Sequence, residues 1–429
     1  VLRQRYRVRL PADARPTEPY FLREPRAGEL YRWPDDPAVR GLPFEPPAVR
    51  GRAVVELAGA ALELEREAEY RGVDPREGEV RRPVLVVPAV SVALEPAVAV
   101  LPLNGGGDRT AQPLRFGVRL RAEGDEVAEG DVALELPPGW RAAPASERVR
   151  LAPGEARVVA FEVAAPAGVA AGRHRVGARF TAADGRRHDR ALQLVDYPHI
   201  RPRPLLRAAE SAVSAFELRV PAGLVVGYIM GAGDEVPQAL AQLGIDVELL
   251  DAAALAGDLS RFDVIVTGIR AYEVRPELAA LNRRLLDWVA GGGTLIVQYN
   301  KYELVEGGFP PYPLSMARPH GRVADETAPV RFLEPASPVL TTPNRITAAD
   351  FDGLVQERGL YFADTWDERY RPVLAMADPG EPGLRGALLV ARHGNGTYVY
   401  TGLAFFRQLP EGVPGAYRLF ANLLALARR

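Results

Sequence analysis

A strand-like apolar run that ends in closely spaced glycines is the first place where this sequence could do chemistry. Residues 224–230 (LVVGYIM) are followed by Gly231, Gly233 and Asp234, and then by a segment with helical spacing. Glycine loops between a strand and a helix often bind phosphate groups. The lysine of a P-loop and the third glycine of a dinucleotide fingerprint are missing here, and acidic side chains would repel a phosphate. We therefore expect a tight turn in which Asp234 caps the helix.

The turn at residues 267–276 (TGIRAYEVRP) is the second such place, because it follows another apolar run, residues 264–269. A strand-to-helix elbow of this kind carries the nucleophile in several hydrolase folds. The position of that nucleophile is matched by Arg270, and an arginine cannot act as nucleophile or base at neutral pH. Two interpretations stay open: Arg270 and Tyr272 bind an acidic or sugar-like ligand, or Arg270 forms a structural salt bridge.

Polar residues also follow the next predicted strand, residues 294–300, which ends in Asn300 and Lys301. The carboxyl ends of parallel strands meet at one edge of a sheet, so these residues should face the same crevice as the two turns. No catalytic residue can be assigned. The candidate ligand-binding residues are Gly231, Gly233, Asp234, Arg270, Tyr272, Asn300 and Lys301.

Other kinds of site are disfavoured by composition. The sequence contains no cysteine, which excludes thiolate zinc sites and cysteine nucleophiles, and its five histidines form no metal motif. No G-x-S-x-G motif is present. We expect no metal or cofactor in this chain, and we interpret five acids of the later loops as solvated or helix-capping. These are Asp325, Glu326, Asp350, Asp352 and Glu357.

Net charge and hydropathy disfavour nucleic acid as a partner and a membrane-spanning segment. The 429 residues carry a formal net charge of −2, which gives no basic footprint for nucleic acid. No apolar run reaches 18 residues, so no membrane span is expected. The sequence begins at Val1 without a methionine or a basic segment, which leaves open whether Val1 is the true start or a processing boundary.

The pattern of elements changes near residue 200. Before it, period-two segments punctuated by proline and glycine predict two β-sandwich domains, residues 1–96 and an immunoglobulin-like domain at 97–197. Trp140 would be a core residue or, less commonly, a sugar-stacking platform. Residues 198–206 read as a proline-stiffened linker. Strands then alternate with helices over residues 207–429, which predicts a doubly wound α/β domain.

Several segments together resemble the carboxyl-terminal region of large bacterial PIG-L (LmbE-like) deacetylases. They include residues 228–244 (YIMGAGDEVPQALAQLG), 285–300 (LLDWVAGGGTLIVQYN) and 396–426, while 136–140 (LPPGW) and 151–166 (LAPGEARVVAFEVAAP) resemble the immunoglobulin-like module of these proteins. The α/β domain also resembles the flavodoxin-like fold of class I glutamine amidotransferases.

The resemblance implies a parent protein with a zinc-dependent N-deacetylase domain that acts on acetylated amino sugars. The A-H-P-D-D and H-x-x-H motifs of that domain do not occur here, so zinc would belong to a missing domain and this chain alone should lack deacetylase activity. Its implied role is accessory, binding a glycan or a partner such as the deacetylase domain, in an extracytoplasmic location. Two alternatives remain: a structural subunit of an assembly, or an α/β domain that is itself a carbohydrate-active hydrolase.

Overall fold

The computed structural model describes residues 4–11, 14–24, 26–27, 30–103 and 113–428. The chain is mostly β, with 39% of its residues in strands and 15% in helices, and it contains several separate sheets. It divides into two compact units. The first comprises Val1–Ala97, Pro113–Ala164 and Arg175–Ser211, and the second comprises Val98–Gln112, Ala165–His174 and Ala212–Arg429. Each unit therefore joins stretches that the predicted boundaries at 96, 197 and 206 keep apart.

Two hairpins stand where the first sandwich was predicted. Their strands are β1 (Arg50–Leu57), β2 (Ala60–Glu67), β3 (Glu69–Asp74) and β4 (Gly78–Pro83). Within the described residues β1 pairs only with β2, and β3 only with β4. Residues 5–10 have a period-two apolar pattern, which predicts a strand, but the structure has none there. The period-two pattern identified strands correctly, but the pattern does not reveal whether a second layer covers them.

The apolar face of the first hairpin illustrates that difference. Its register places Val55 opposite Leu62 and Ala53 opposite Leu64, so one face is apolar. Val55, Leu62 and Leu64 are nevertheless exposed. The other face carries cross-strand ion pairs such as Arg50 with Glu65, which stabilise the pairing only modestly.

The strands that follow in chain order are β5 (Val90–Glu95), β6 (Val98–Leu103), β7 (Leu114–Ala122), β8 (Ala128–Glu135), β9 (Arg141–Ala143), β10 (Glu147–Leu151), β11 (Ala156–Ala164), β12 (Gly172–Ala182), β13 (Arg187–His188), β14 (Arg190–Val195) and β15 (Arg203–Ala208). One sheet has the order β5-β7-β11-β9, and β8 pairs with β10 on one side and β12 on the other. Strand β5, assigned to the first predicted domain, thus pairs with β7 of the second.

A β-sandwich core explains the alternation in these strands. Every second residue of β7, from Phe116 to Ala122, is buried, and Phe161 on β11 and Val132 on β8 are buried as well. Trp140 is only 8% exposed, which confirms it as a core residue rather than a platform. The last part of the predicted linker, residues 203–206, belongs to β15, which pairs with β14.

The second unit contains the strands β16 (Glu210–Glu217), β17 (Val225–Ile229), β18 (Asp246–Leu249), β19 (Val264–Thr267), β20 (Thr294–Val297), β21 (Gly321–Val323), β22 (Val330–Phe332), β23 (Gly359–Phe362), β24 (Arg371–Pro372), β25 (Leu374–Met376), β26 (Leu388–His393) and β27 (Gly396–Thr401). Its helices are α1 (Val236–Ala241), α2 (Ala252–Ala256), α3 (Ala271–Val274), α4 (Pro276–Ala290), α5 (Glu303–Glu306), α6 (Pro338–Thr341), α7 (Phe405–Gln408) and α8 (Pro414–Leu424).

A seven-stranded sheet of order β18-β17-β19-β20-β27-β26-β24 organises this unit. Neighbours from β18 to β27 are parallel, and β26 and β24 are antiparallel additions. One face shares an apolar core with α1 and α8, and the other face with α2 and α4. Helix α4 has Pro276 in its first turn, and Leu278, Leu285 and Val289 are buried on one face of it, as the helical spacing of these apolar residues predicts.

The long segment that follows β20, residues 302–371, is a compact set of short elements rather than an open loop. We call it the excursion. Within it β21 pairs with β23, and its strand β22 pairs with β25, which follows it. The buried Arg358 donates to the carbonyl oxygens of Ala328 and Phe351 and so ties two of its segments together. The excursion returns to the carboxyl edge of the parallel strands, where the loops after β17, β19 and β20 also lie.

Candidate functional site

Asp234 fastens the loop after β17 to the loop after β19. Its carboxylate accepts hydrogen bonds from the Tyr228 hydroxyl at 2.7 Å, from the Val236 amide at 3.1 Å and from the Ile269 amide at 3.2 Å. Helix α1 begins at Val236 with Glu235 as its N-cap, so Asp234 lies one residue earlier than a cap. Burial and the adjacent Asp234 raise the pKa of Tyr228, which stays protonated and donates. The Asp234 carboxylate therefore makes its hydrogen bonds to groups of this protein, and they explain its position without a ligand.

The two glycines of this loop serve backbone geometry. A Cβ on Gly231 would lie 2.8 Å from the carbonyl carbon of Ile269 and closer still to its oxygen. Gly233 has φ +104°, a conformation that other residues rarely adopt. Neither position requires a ligand to explain it, and the phosphate-loop interpretation gains no support.

Arg270 occupies the elbow between β19 and α3 in the left-handed conformation, with φ +56° and ψ +25°. Its amide donates to the carbonyl oxygen of Tyr299 at 3.0 Å, which fixes the turn against the neighbouring loop. A left-handed conformation costs a non-glycine residue about 1 kcal/mol or more. The elbow geometry is thus present, and an arginine occupies its apex.

The guanidinium of Arg270 binds Glu273 rather than Asp234. It donates two hydrogen bonds of 2.6 Å to the two carboxylate oxygens, and Lys301 donates to the same carboxylate at 3.0 Å. The hydrogen bonds from Arg270, followed by those from Lys301, lower the pKa of Glu273 to about 2. Arg270 and Lys301 keep about a third of their side-chain surface exposed, so both are accessible to a ligand.

The depressed pKa of Glu273 predicts a pH-dependent contribution to stability. A carboxylate whose pKa falls from 4.5 to about 2 on folding stabilises the protein above pH 4.5, and this contribution disappears as the pH falls through 2. We expect Glu273→Gln to lower the free energy of unfolding by about 1 kcal/mol at pH 7, because the pair is partly solvated. Urea denaturation at stepped pH should show the difference from wild type shrinking below pH 4.5. Glu381→Gln, at an exposed position, is the control and should show no such trend.

Tyr272 and Asn300 do not face an open crevice, which corrects two predicted ligand contacts. Asn300 is fully buried; its side chain accepts from the Tyr272 amide at 2.9 Å and donates to the Gln298 carbonyl oxygen. The Tyr272 hydroxyl donates to Asn282 at 2.7 Å, and its ring stacks on Phe309. Both side chains are therefore used within the protein, while Lys301, the next residue, is 31% exposed.

Two stacked tyrosines lie next to Arg270: Tyr299 is only 7% exposed, and Tyr361 is partly exposed. Their rings stack with centroids 5.9 Å apart, and His320 stacks on Tyr361 at 3.9 Å. Neither tyrosine hydroxyl hydrogen-bonds to another side chain or backbone group of the described residues, and neither is a fully buried atom. These hydroxyls can therefore donate to and accept from a ligand. Burial and the nearby Arg322 lower the pKa of His320, so its imidazole is neutral at pH 7.

A second ion cluster lies beside these rings. Glu357, only 3% exposed, accepts from Arg407 at 2.9 Å and from Arg322 at 3.1 Å. Arg407 also lies over the ring of Phe406, which contacts Tyr299 with centroids 5.3 Å apart. We call Arg270, Tyr299, Lys301, His320, Tyr361 and Arg407 the aromatic–cationic face.

Backbone strain concentrates at this face. Among the described residues, four non-glycine residues have a left-handed φ, and three of them, Arg270, Gln356 and Tyr361, belong to the face or adjoin Glu357. Residues in sparsely populated conformations persist where the surrounding structure holds them and cluster at functional sites. The strain distinguishes this surface from the rest of the unit.

Two further acids of the excursion, Asp350 and Asp325, have structural partners. Asp350 accepts from Thr347 in a capping box and pairs with Arg418, and Asp325 accepts from Thr327. Among the described residues no group of three or more histidines and acids is placed to hold a metal ion. Within the same residues, no helix is long and apolar enough to cross a membrane.

Comparison with known families identifies a class of module within the first unit. Residues 119–182 match the family described as NPCBM-associated, NEW3 domain of alpha-galactosidase. The match runs from β7 to the end of β12, which are strands of the β-sandwich described above. The chain thus contains a NEW3-type β-sandwich of the kind associated with that glycosidase.

Solved structures are similar to the chain at low identity. The β-galactosidase from Rahnella sp. R3 is 16% identical over 48% of this chain and 32% of its own, with a TM-score of 0.28. The β-galactosidase from Bacillus circulans sp. alkalophilus is 14% identical over 48% and 31%, with a TM-score of 0.29. A protein from Thermoplasma acidophilum that is described as part of a GMP synthase is 11% identical over 48% and 96%, with a TM-score of 0.31.

These likenesses are too distant to support an argument about function, and the chain spans about a third of each β-galactosidase. No curated protein matches the chain. The resemblance to PIG-L deacetylases gains no support from these comparisons and stays a prediction.

Proposed function

We propose that this chain is a non-catalytic, glycan-binding region of a larger carbohydrate-active protein, and that the aromatic–cationic face is its binding site. The observation that carries the proposal is that Arg270 lies at the apex of the elbow in a left-handed conformation and that its guanidinium is hydrogen-bonded to Glu273. An arginine in that position cannot form a covalent intermediate. Beside it, the hydroxyls of Tyr299 and Tyr361 are available to bind sugar hydroxyls.

The fold assignment of the second unit is part of this proposal. We interpret its seven-stranded sheet as a doubly wound α/β domain of the amidotransferase-like kind that lacks a nucleophile. The parallel order from β18 to β27, the cores on both faces and the left-handed residue after β19 support that interpretation. The match of residues 119–182 to a glycosidase-associated module supports a carbohydrate context. An N-acetyl-sugar deacetylase of the PIG-L type, located outside the cytoplasm, is the parent we propose.

Calorimetric titration of the chain with N-acetylchitotetraose tests the proposal. We expect saturable binding and full recovery of the intact tetrasaccharide, because the chain binds without deacetylating it. Tyr299→Phe should weaken binding about three- to tenfold, the equivalent of one net hydrogen bond of ~1 kcal/mol. Tyr70→Phe, which removes a hydroxyl from an exposed tyrosine of the first unit, is the matched control.

A structural subunit remains the second candidate function, and the exposed apolar face of the β1–β2 hairpin favours it. Isolated two-stranded hairpins are marginally stable in water, and a second layer would cover Val55, Leu62 and Leu64. Absence of oligosaccharide binding, together with self-association that Leu62→Glu abolishes, would support this alternative over glycan binding.

A further inference from the structure

We infer that the glycan bound by the aromatic–cationic face carries a carboxylate, so that its natural ligand contains a uronic acid. This inference rests on the proposed function and specifies the chemical class of its ligand.

The first observation is a charge imbalance that occurs twice. Glu273 is shared by Arg270 at 2.6 Å and Lys301 at 3.0 Å. Glu357 is shared by Arg407 at 2.9 Å and Arg322 at 3.1 Å. In both clusters one carboxylate faces two cations, so each cluster retains one positive charge that no described ion pair neutralises.

The second observation is the position of these two clusters. The Arg270 amide donates to the backbone of Tyr299, and Arg407 lies over Phe406, which contacts the Tyr299 ring. Burial raises the pKa of the Tyr299 hydroxyl, and the positive charges of Arg270 and Arg407 oppose that rise. Two residual positive charges therefore flank a pair of unpartnered phenol hydroxyls.

The third observation is accessibility. The side chains of Arg270, Lys301 and Arg407 are 33%, 31% and 35% exposed, while the carboxylate of Glu357 is almost fully covered. The Glu273 side chain is 24% exposed, so a ligand approaching the face meets three partly exposed cations and one partly exposed carboxylate. Guanidinium groups recognise carboxylates through paired, charge-assisted hydrogen bonds, and the phenol hydroxyls match the hydroxyls of a sugar ring.

A sugar carboxylate fits these groups better than a phosphate does. Phosphate sites in parallel sheets use a glycine loop and a helix N-terminus, and here that position is occupied by Asp234 and Glu235. The stacked rings of Tyr299, Tyr361 and His320 would also have no role in binding a phosphate. The combination of two separated positive charges with aromatic hydroxyls favours an extended acidic oligosaccharide.

A matched pair of tetrasaccharides tests the inference. Hyaluronan tetrasaccharide alternates N-acetylglucosamine with glucuronate, and N-acetylchitotetraose has the same length without carboxylates. We expect the chain to bind the hyaluronan tetrasaccharide about ten- to a hundredfold more tightly at low salt, the range of charge-assisted hydrogen bonds, and to lose this preference as ionic strength rises. Lys301→Gln should reduce the preference and Lys301→Gln combined with Arg407→Gln should abolish it. Arg115→Gln, at a highly exposed position on β7, should not change it.

The outcomes separate this inference from the proposed function. Equal affinity for the two tetrasaccharides would overturn the carboxylate preference and leave glycan binding intact. Tighter binding of inorganic phosphate than of the hyaluronan tetrasaccharide would overturn the choice of a sugar acid. If neither tetrasaccharide binds, both the inference and the proposed function are wrong. Because Lys301 is partly exposed, Lys301→Gln alone keeps the test valid if the double variant fails to fold.

Discussion

Gly231→Ala should destabilise the second unit by about 3 kcal/mol or more. The added Cβ would lie 2.8 Å from the Ile269 carbonyl carbon and closer to its oxygen, and 3.0 Å from the Ala271 amide nitrogen. Those atoms are backbone of the elbow, so relief requires the loop after β17 and the loop after β19 to separate. The separation would also break the hydrogen bond from Ile269 to Asp234. Urea denaturation of the variant measures the loss.

Gly383→Ala is the matched control for this change. A Cβ at Gly383 meets no atom within 4 Å, and its φ is not in the left-handed region. We expect its free energy of unfolding to stay within about 0.5 kcal/mol of wild type. Wild-type stability in Gly231→Ala would show that the two loops are not packed as described.

Asn422→Ala should lower the free energy of unfolding by about 4 kcal/mol. Asn422 is completely buried on α8; it accepts from the Asn344 amide at 2.8 Å and donates to the carbonyl oxygens of Val339 and Asn344 at 2.8 and 2.7 Å. Truncation leaves those backbone groups buried without partners, at about 1–3 kcal/mol each. The excursion, which supplies His320 and Tyr361, would lose one of its anchors. Thermal and urea denaturation measure the effect.

Asn395→Ala provides the comparison, since Asn395 lies exposed in the turn between β26 and β27 and its side chain has no hydrogen bond among the described residues. This variant should be near neutral. Equal effects of the two substitutions would contradict the anchoring role of Asn422.

The parallel strands and the elbow were predictable from the sequence because each has a local signal. Between residues 224 and 300, apolar runs of strand length alternate with segments of helical spacing. The turn at 267–276 lies between one such run and the next helical segment. The structure places β17, β19 and β20 in those runs and Arg270 at the apex of the turn. Local periodicity and turn chemistry are enough for these features.

The composition of the face was only partly predictable. Arg270 and Lys301 were identified, whereas Glu273 and Tyr299 lie inside the same quoted segments and were not selected. His320, Tyr361 and Arg407 reach the face through tertiary packing of the excursion and α7, and no local pattern in the sequence carries that information.

The arrangement of the β-rich half was the least predictable. Strand periodicity shows that a segment has an apolar face, but it does not reveal which segment covers that face. Strand β5 therefore pairs across a predicted boundary, and β1 with β2 forms an uncovered hairpin. The β-sandwich that includes residues 119–182 was recognised because its turns and alternating strands lie close together in sequence.

Lys301 provides the most direct measurement of the central claim, because it is the only lysine in the sequence. Amine-selective dimethylation followed by mass spectrometry of the peptide around Lys301 reports on the aromatic–cationic face alone, and the terminal amine lies on a different peptide. We predict that saturating N-acetylchitotetraose slows modification of Lys301 several-fold, and that the hyaluronan tetrasaccharide slows it further. An unchanged modification rate at a concentration that calorimetry shows to be saturating would place the glycan elsewhere and contradict the account.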